Sequence, residues 1–311
     1  MTSLRTALLA ATAALTLAGP SFAAGCDKVT FSDVGWTDIT STTAVTTFML
    51  KAMGYQTDIK LLSVPVTYEA MAKGDVDVFL GNWMPTMDAN IKPYVDAKTV
   101  DSLRANLTGA KYTLATNQYG ADIGIKDYAD IATHAKELDG KIYGIEPGND
   151  GNRLILGMIK DNFDGVKDFK LVESSEQGML AQVARLDAQK KPIVFLGWAP
   201  HPMNSKFKLT YLSGGDKIFG PDFGGATVYT NTRANYVKEC PNVGKMLNQL
   251  VFSLDMENQI MGAILDNSTD PQVAAKAWLT ANPDAIKPWL AGVTTKDGGD
   301  AVAAVDKALG K

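Results

Sequence analysis

The chain has 311 residues, with 30 Lys plus Arg against 34 Asp plus Glu and a formal net charge of -4. That length corresponds to about two domains at ~100–200 residues each. The 46% of hydrophobic residues and 21% of charged ones supply a sizeable core and exclude intrinsic disorder, and a pI near 5.3 without any basic block argues against nucleic acid as a partner.

Residues 1–23 read as a cleaved export signal. Arg5 gives a positive start, Ala7 to Ala18 (ALLAATAALTLA) is an apolar stretch, and Ser21-Phe22-Ala23 places small residues at the cleavage positions. The apolar stretch is shorter than the ~20 residues needed to span a bilayer. The expectation is a soluble periplasmic protein. Its two cysteines, Cys26 and Cys240, form an even pair, which in an oxidising compartment reads as one disulfide. The rival reading, a lipidated Cys26, lacks a Leu three residues upstream and leaves Cys240 without a partner.

Strand-like and helix-like segments then alternate. Lys28–Val34 is a strand, Thr42–Met53 a helix, Thr57–Val64 a strand, Pro65–Lys73 a helix and Asp77–Leu80 a short buried strand. Lys111–Ala115 is strand-like and leads to a second set: strand Lys141–Ile145, helix Asn152–Lys160, strand Phe169–Val172, helix Gln177–Gln189 and strand Pro192–Leu196. Ser174-Ser175 sit where a helix cap is expected. Strand-like Leu209–Leu212 and Ala226–Thr230 follow, and beyond Pro241 the apolar spacing of Val243, Met246, Leu247, Leu250, Val251 and Leu254 predicts a helix. The alternation predicts an α/β fold with mainly parallel sheet. The closing helices need a sheet to cover, so the first lobe is expected to be discontinuous, with the Ala226 run as its closing strand. The division expected is lobe 1 at 24–111 and 211–311, lobe 2 at 112–210, joined by two crossing segments.

Enzyme signatures are scarce. Two histidines, His134 and His201, carry no zinc-like spacing, and no nucleophile elbow or phosphate loop is present. The turn Gly148-Asn149-Asp150-Gly151 precedes a helix and is a weak anion motif. No metal or cofactor is called for. Three tryptophans share a context: FSDVGW to Trp36, VFLGNW to Trp83 and VFLGW to Trp198 each run from an apolar strand through Gly to an indole. Ligands of open α/β sheets bind beyond the carboxyl ends of strands, so three strands deliver an indole to that edge. Trp278 and Trp289 fall at core-like helical spacing and read as packing.

A cluster of indoles suits a quaternary ammonium, a weakly hydrated cation attracted to aromatic faces at ~0.5–2 kcal/mol per face. Asp38, two residues after Trp36, adds a formal negative charge. No Lys or Arg lies within four residues of these tryptophans, which favours choline over a zwitterion such as glycine betaine, whose carboxylate wants a donor. A sugar would also stack on Trp but wants polar partners that are scarce here.

The stretches FSDVGWTDITSTTA, DVDVFLGNWMPTM, LTGAKYTLATN, GIEPGNDGNR, SSEQGMLAQVARLDAQKKPIVFLGW and SKFKLTYLSGGD together resemble the choline-binding branch of the quaternary-ammonium substrate-binding proteins of bacterial ABC importers. The resemblance covers essentially the whole chain after residue 23. It implies a type II periplasmic binding protein, α/β throughout, with two lobes closing over the ligand at a hinge. It also implies an aromatic box of Trp36, Trp83, Tyr112 and Trp198, with Asp38 as acidic partner of the cation and Asn149 hydrogen-bonded to the choline hydroxyl. Tyr112 and Asn149 come from the resemblance alone. The sequence departs from the family pattern at Ala199, where an acidic residue is expected. The function implied is a monomer that captures choline, with acetylcholine or betaine bound more weakly, and delivers it to an ABC transporter transmembrane permease. Rival expectations are a glycine betaine or proline betaine binder, a secreted choline-ester hydrolase, for which no nucleophile–base pair is evident, and a structural envelope protein.

Overall fold

The computed structural model describes residues 26–311. The export signal expected at 1–23 lies outside them. Strands β1 (Lys28–Asp33), β2 (Gln56–Leu61) and β3 (Val78–Met84) pair in parallel, with helices α1 (Thr37–Ala52) and α2 (Val64–Lys73) as their crossovers. A second parallel group contains β5 (Lys141–Tyr143), β6 (Lys170–Val172) and β7 (Val194–Ala199), connected through helices Asp150–Lys160 and Glu176–Ala188. These are the two βαβ sets that the alternation predicts.

The sheet is mixed, however, which corrects the mainly parallel expectation. Two antiparallel strands knit the groups together: β4 (Val100–Thr116) and β9 (Gly225–Arg233), in the order β2-β1-β3-β9-β4-β7-β5-β6, with β8 (Thr210–Tyr211) at the side of β4. Between Val100 and Lys111, β4 pairs with β9; from Lys111 to Thr116 it pairs with β7. One strand is thus shared by both groups. The sequence reading found only its last third, Lys111–Ala115. Its first part alternates poorly because three register shifts between Ser102 and Ala110 break the period of two. The Ala226 run does close the first group, as expected, by pairing with β3.

Two helix boundaries also differ from expectation. Helix α1 starts at Thr37, five residues before the expected Thr42: the Thr37 N–H is capped by the distant Glu176 carboxylate, and the hydroxyls of Ser41, Thr42, Thr46 and Thr47 donate back to carbonyls one turn earlier. A helix rich in Thr is then satisfied internally although its propensity is low. The single helix expected over Val243–Leu254 is two, Pro241–Leu247 and Leu254–Asn267. Ser253 caps the second by accepting from Met256 N–H, Phe252 N–H donates to the Asn106 carbonyl, and Val251 is 45% exposed. The apolar spacing there spans a break.

Helices Leu254–Asn267 and Pro271–Ala281 pack against α1 and cover the first group. Trp278 and Trp289 stack there with ring centroids 6.5 Å apart, the packing role expected of them. Cys26 and Cys240 are joined by a disulfide, Cα to Cα 5.5 Å, which ties the start of β1 to the helical region. Among the described residues no helix is long and apolar enough to cross a membrane.

Candidate functional site

The site grows from the ends of three strands and the interior of a fourth. After β1 the Asp33 carboxylate accepts from Gly35 N–H and Thr40 hydroxyl, and Gly35 takes a left-handed φ of 85° that turns the chain into α1. This turn places Trp36 at the N-cap of α1 and Asp38 in its first turn. Trp83 is the penultimate residue of β3, beyond a register shift between Phe79 and Asn82. Trp198 is penultimate in β7 and lies directly across from Tyr112 of β4.

These elements converge on one narrow cleft, lined by Trp36, Asp38, Trp83, Tyr112, Ile145 and Trp198. Tyr112 stands edge-on to both neighbouring indoles, 6.1 Å from Trp83 and 6.3 Å from Trp198. Such mutually inclined rings leave π faces directed at a common space. Phe219, 5.7 Å away, packs behind Tyr112. A larger hollow of about 650 Å³ beside the disulfide has Tyr55 as its one aromatic ring and no convergent faces.

Asp38 is the ionisable group of the cleft and is 1% exposed. Its Oδ2 accepts from Trp83 Nε1 at 3.1 Å, while Oδ1 has no hydrogen-bond partner. Burial, reinforced by the nearby Glu176 carboxylate, pushes its pKa up to about 8. A buried carboxylate with an orphan oxygen is costly unless a cation or a proton meets it. Glu257, on helix Leu254–Asn267, is also buried, and desolvation with the Asp38 charge holds its pKa well above the usual range. No Lys or Arg lines the cleft.

Of the six expected binding residues, the structure brings five to the cleft wall. Asn149 is not among the lining residues: it stands behind Tyr112, buried, at the N-cap of helix Asp150–Lys160. Its Oδ1 accepts from the Tyr112 hydroxyl at 2.9 Å and from Asn152 N–H at 3.1 Å, and its Nδ2 donates to Asp150. Asn149 therefore anchors the Tyr112 ring.

Sequence reasoning missed four residues. Ile145 lines the floor at the end of the expected strand Lys141–Ile145, where an apolar side chain was the available signal. Glu146 accepts from Trp36 Nε1 at 2.9 Å, and burial raises its pKa to about 7. Glu176 accepts from Thr37 N–H at 2.8 Å and from the Thr37 hydroxyl, and His201 packs its ring 4.9 Å from Trp198. Glu146 and Glu176 lie more than 100 positions from the residues they hold, so no local pattern announces them, whereas His201 is three residues from Trp198 and carried no signal as a lone histidine. Among the described residues no group of three or more His, Cys, Asp or Glu is placed to hold a metal ion.

Comparison with known proteins agrees with this architecture. Residues 27–281 match the family described as the substrate binding domain of ABC-type glycine betaine transport systems. An ABC-transporter choline binding protein in complex with choline is 65% identical, covering 91% of this chain and 98% of that one, with a TM-score of 0.91. An ABC-transporter choline binding protein in an unliganded semi-closed conformation superposes with a TM-score of 0.85, over 92% and 99% of the two chains at 65% identity. Lactococcal OpuAC, closed and complexed with glycine betaine, is 28% identical over 85% of this chain and 99% of that one, TM-score 0.76. A glycine betaine/carnitine transport binding protein of Listeria monocytogenes is 28% identical over 52% of this chain and 53% of its own length. The chain belongs to the family of substrate-binding domains of ABC-type glycine betaine transport systems, with the two-lobed α/β fold of type II periplasmic binding proteins.

Proposed function

We propose that this protein captures choline between its two lobes in the periplasm and delivers it to the transmembrane permease of an ABC importer. The observation that carries the reading is the cleft itself: four aromatic rings around one buried carboxylate whose Oδ1 lacks a partner, and no cationic side chain in the wall. A quaternary ammonium cannot donate a classical hydrogen bond, so it is held by faces and charge, and this wall offers those. Trp36, Trp83, Tyr112 and Trp198 form the box, and Asp38 balances the cation. The choline hydroxyl is directed toward the end of the cleft where Asn149, behind the wall, accepts the Tyr112 hydroxyl. The 65% identity to a choline binding protein supports the same ligand.

The lobes divide along the shared strand β4, near residue 111, where its pairing changes from β9 to β7. We place the return crossing near residue 225, later than the 211 expected from sequence, because β8 pairs with β4 at Ala115–Thr116 and Phe219 packs on Tyr128.

Glycine betaine is the second reading, favoured by the family description. Its carboxylate would face Asp38 with no Lys or Arg in the wall to receive it. Calorimetric titration of the purified protein with choline, acetylcholine, glycine betaine and a neutral sugar separates these. Choline is expected to bind one-to-one and ahead of betaine, with no acetylcholine turnover. Replacing Trp36, Trp83 or Trp198 singly by Ala is expected to cost ~1–2 kcal/mol of affinity. Near-unchanged binding in all three variants would return the tryptophans to a packing role.

A further inference from the structure

Helix α1 has no side-chain cap of its own: Trp36 at its N-cap offers no acceptor. Sixteen residues long, it directs its N-terminal N–H groups and partial positive charge at the region that holds Trp36 and Asp38. The acceptor comes from elsewhere in the chain. Glu176, first residue of helix Glu176–Ala188 beyond β6, takes the Thr37 N–H on Oε2 at 2.8 Å and the Thr37 hydroxyl on Oε1. Both residues are buried, Glu176 being 1% exposed.

His201 holds that carboxylate from its own side. Its Nδ1 accepts from Met203 N–H at 2.9 Å, so Nε2 carries the hydrogen and donates to Glu176 Oε1 at 3.2 Å. The His201 ring in turn stands against Trp198 at 4.9 Å. A continuous chain of contacts thus runs from Trp198 through His201 and Glu176 to Thr37, the residue between Trp36 and Asp38.

Resting on the two-lobe choline reading above, we propose that Glu176 is the positioning residue for closure. It caps α1 from the opposite lobe, so the bond forms only when the lobes meet. Two consequences follow from one carboxylate. It latches the closed form, and it occupies the helix N-terminus that would otherwise repel a cation and attract a ligand carboxylate. Glu176 is therefore also a discriminator of cation against zwitterion, although it does not line the cleft.

The test compares wild type with Glu176→Gln, Glu176→Ala and Thr37→Val, the last removing one donor from the other side of the contact. Choline affinity is expected to fall about ten- to hundredfold in Glu176→Ala, mostly through faster dissociation. Glycine betaine is expected to lose less, so the choline-to-betaine ratio narrows. Thr37→Val and Glu176→Ala combined should weaken binding by less than the product of the single effects, as coupled partners do. Interlobe distance, read by fluorescence transfer between dyes at Lys51→Cys and Lys160→Cys, should show a smaller closed fraction under saturating ligand in the Glu176 variants. The melting temperature of the ligand-free protein should stay near wild type. Unchanged dissociation and an unchanged ratio would overturn the proposal, as would an equal loss of melting temperature with and without ligand, the mark of a purely structural role. Failure of wild type to bind choline would sink the choline reading alone; the interlobe distance and the coupling with Thr37 would then be read with glycine betaine, and a wild-type closed fraction in the Glu176 variants would sink the latch.

Discussion

Asp38 carries the electrostatics of the cleft, and its titration has a definite sign. Its pKa stands at about 8, against an ordinary 3.8, because burial and the Glu176 charge oppose ionisation. A raised carboxyl pKa means that the folded protein without ligand binds a proton the unfolded chain has released. Stability of that form is therefore lost as pH rises through the window from about 3.8 to about 8. A cation in the cleft takes the proton's place. Choline affinity is thus expected to rise with pH toward 8 and to fall below it, by at most about tenfold per unit. Calorimetry from pH 5.5 to 8.5 checks this, with Asp38→Asn expected to bind weakly and with a flattened pH profile. Glu146, at about 7, adds a smaller dependence through its bond to Trp36. A flat wild-type profile would show that Asp38 is not the group the cation meets.

The elements meet at close quarters, and one junction is legible as a constraint. The hydroxyl of Tyr112 in β4 lies against the first turn of helix Asp150–Lys160, where Asn149 holds it. A Cβ on Gly151 would overlap that hydroxyl and crowd Leu196. On helix propensity alone, Gly151→Ala should stabilise by up to ~1 kcal/mol. The contact reverses that sign: the variant is expected to displace the Tyr112 ring, weakening choline binding at least several-fold without a gain in melting temperature. Titration and thermal melting together decide it, and a stabilised variant with intact affinity would count against the packing described.

Across the whole molecule the disulfide and the cleft are separate devices. Cys26–Cys240 spans a sequence separation of 214 and fastens the start of β1 to the terminal helices. Closing so long a loop in the unfolded chain is worth up to ~5 kcal/mol on the chain-entropy estimate. Neither cysteine lines the aromatic cleft. Cys26→Ser with Cys240→Ser is therefore expected to lower the melting temperature by several degrees while leaving choline affinity within about twofold. A large loss of affinity in still-folded protein would mean that the bond also sets the lobe geometry.

The βαβ order, the closing strand near Ala226, the disulfide pair and three indoles at strand ends are all legible in sequence, because each leaves a local mark: a period, a turn residue, a cysteine count. Tyr112 leaves none, since one tyrosine in a strand resembles any other, and only the family resemblance points to it. The antiparallel β4 and β9, the break after Leu247 and the early start of α1 escape a sequence reading because bulges and caps, one of them made from a distant helix, override periodicity and propensity. Residue types and their local spacing thus point to an aromatic, cation-seeking cleft in an α/β chain. Which groups complete it is decided in three dimensions. Glu146, Glu176 and His201 act on partners that the fold alone brings within hydrogen-bond range, and Asp38 acquires its raised pKa only because the fold buries it beside Glu176.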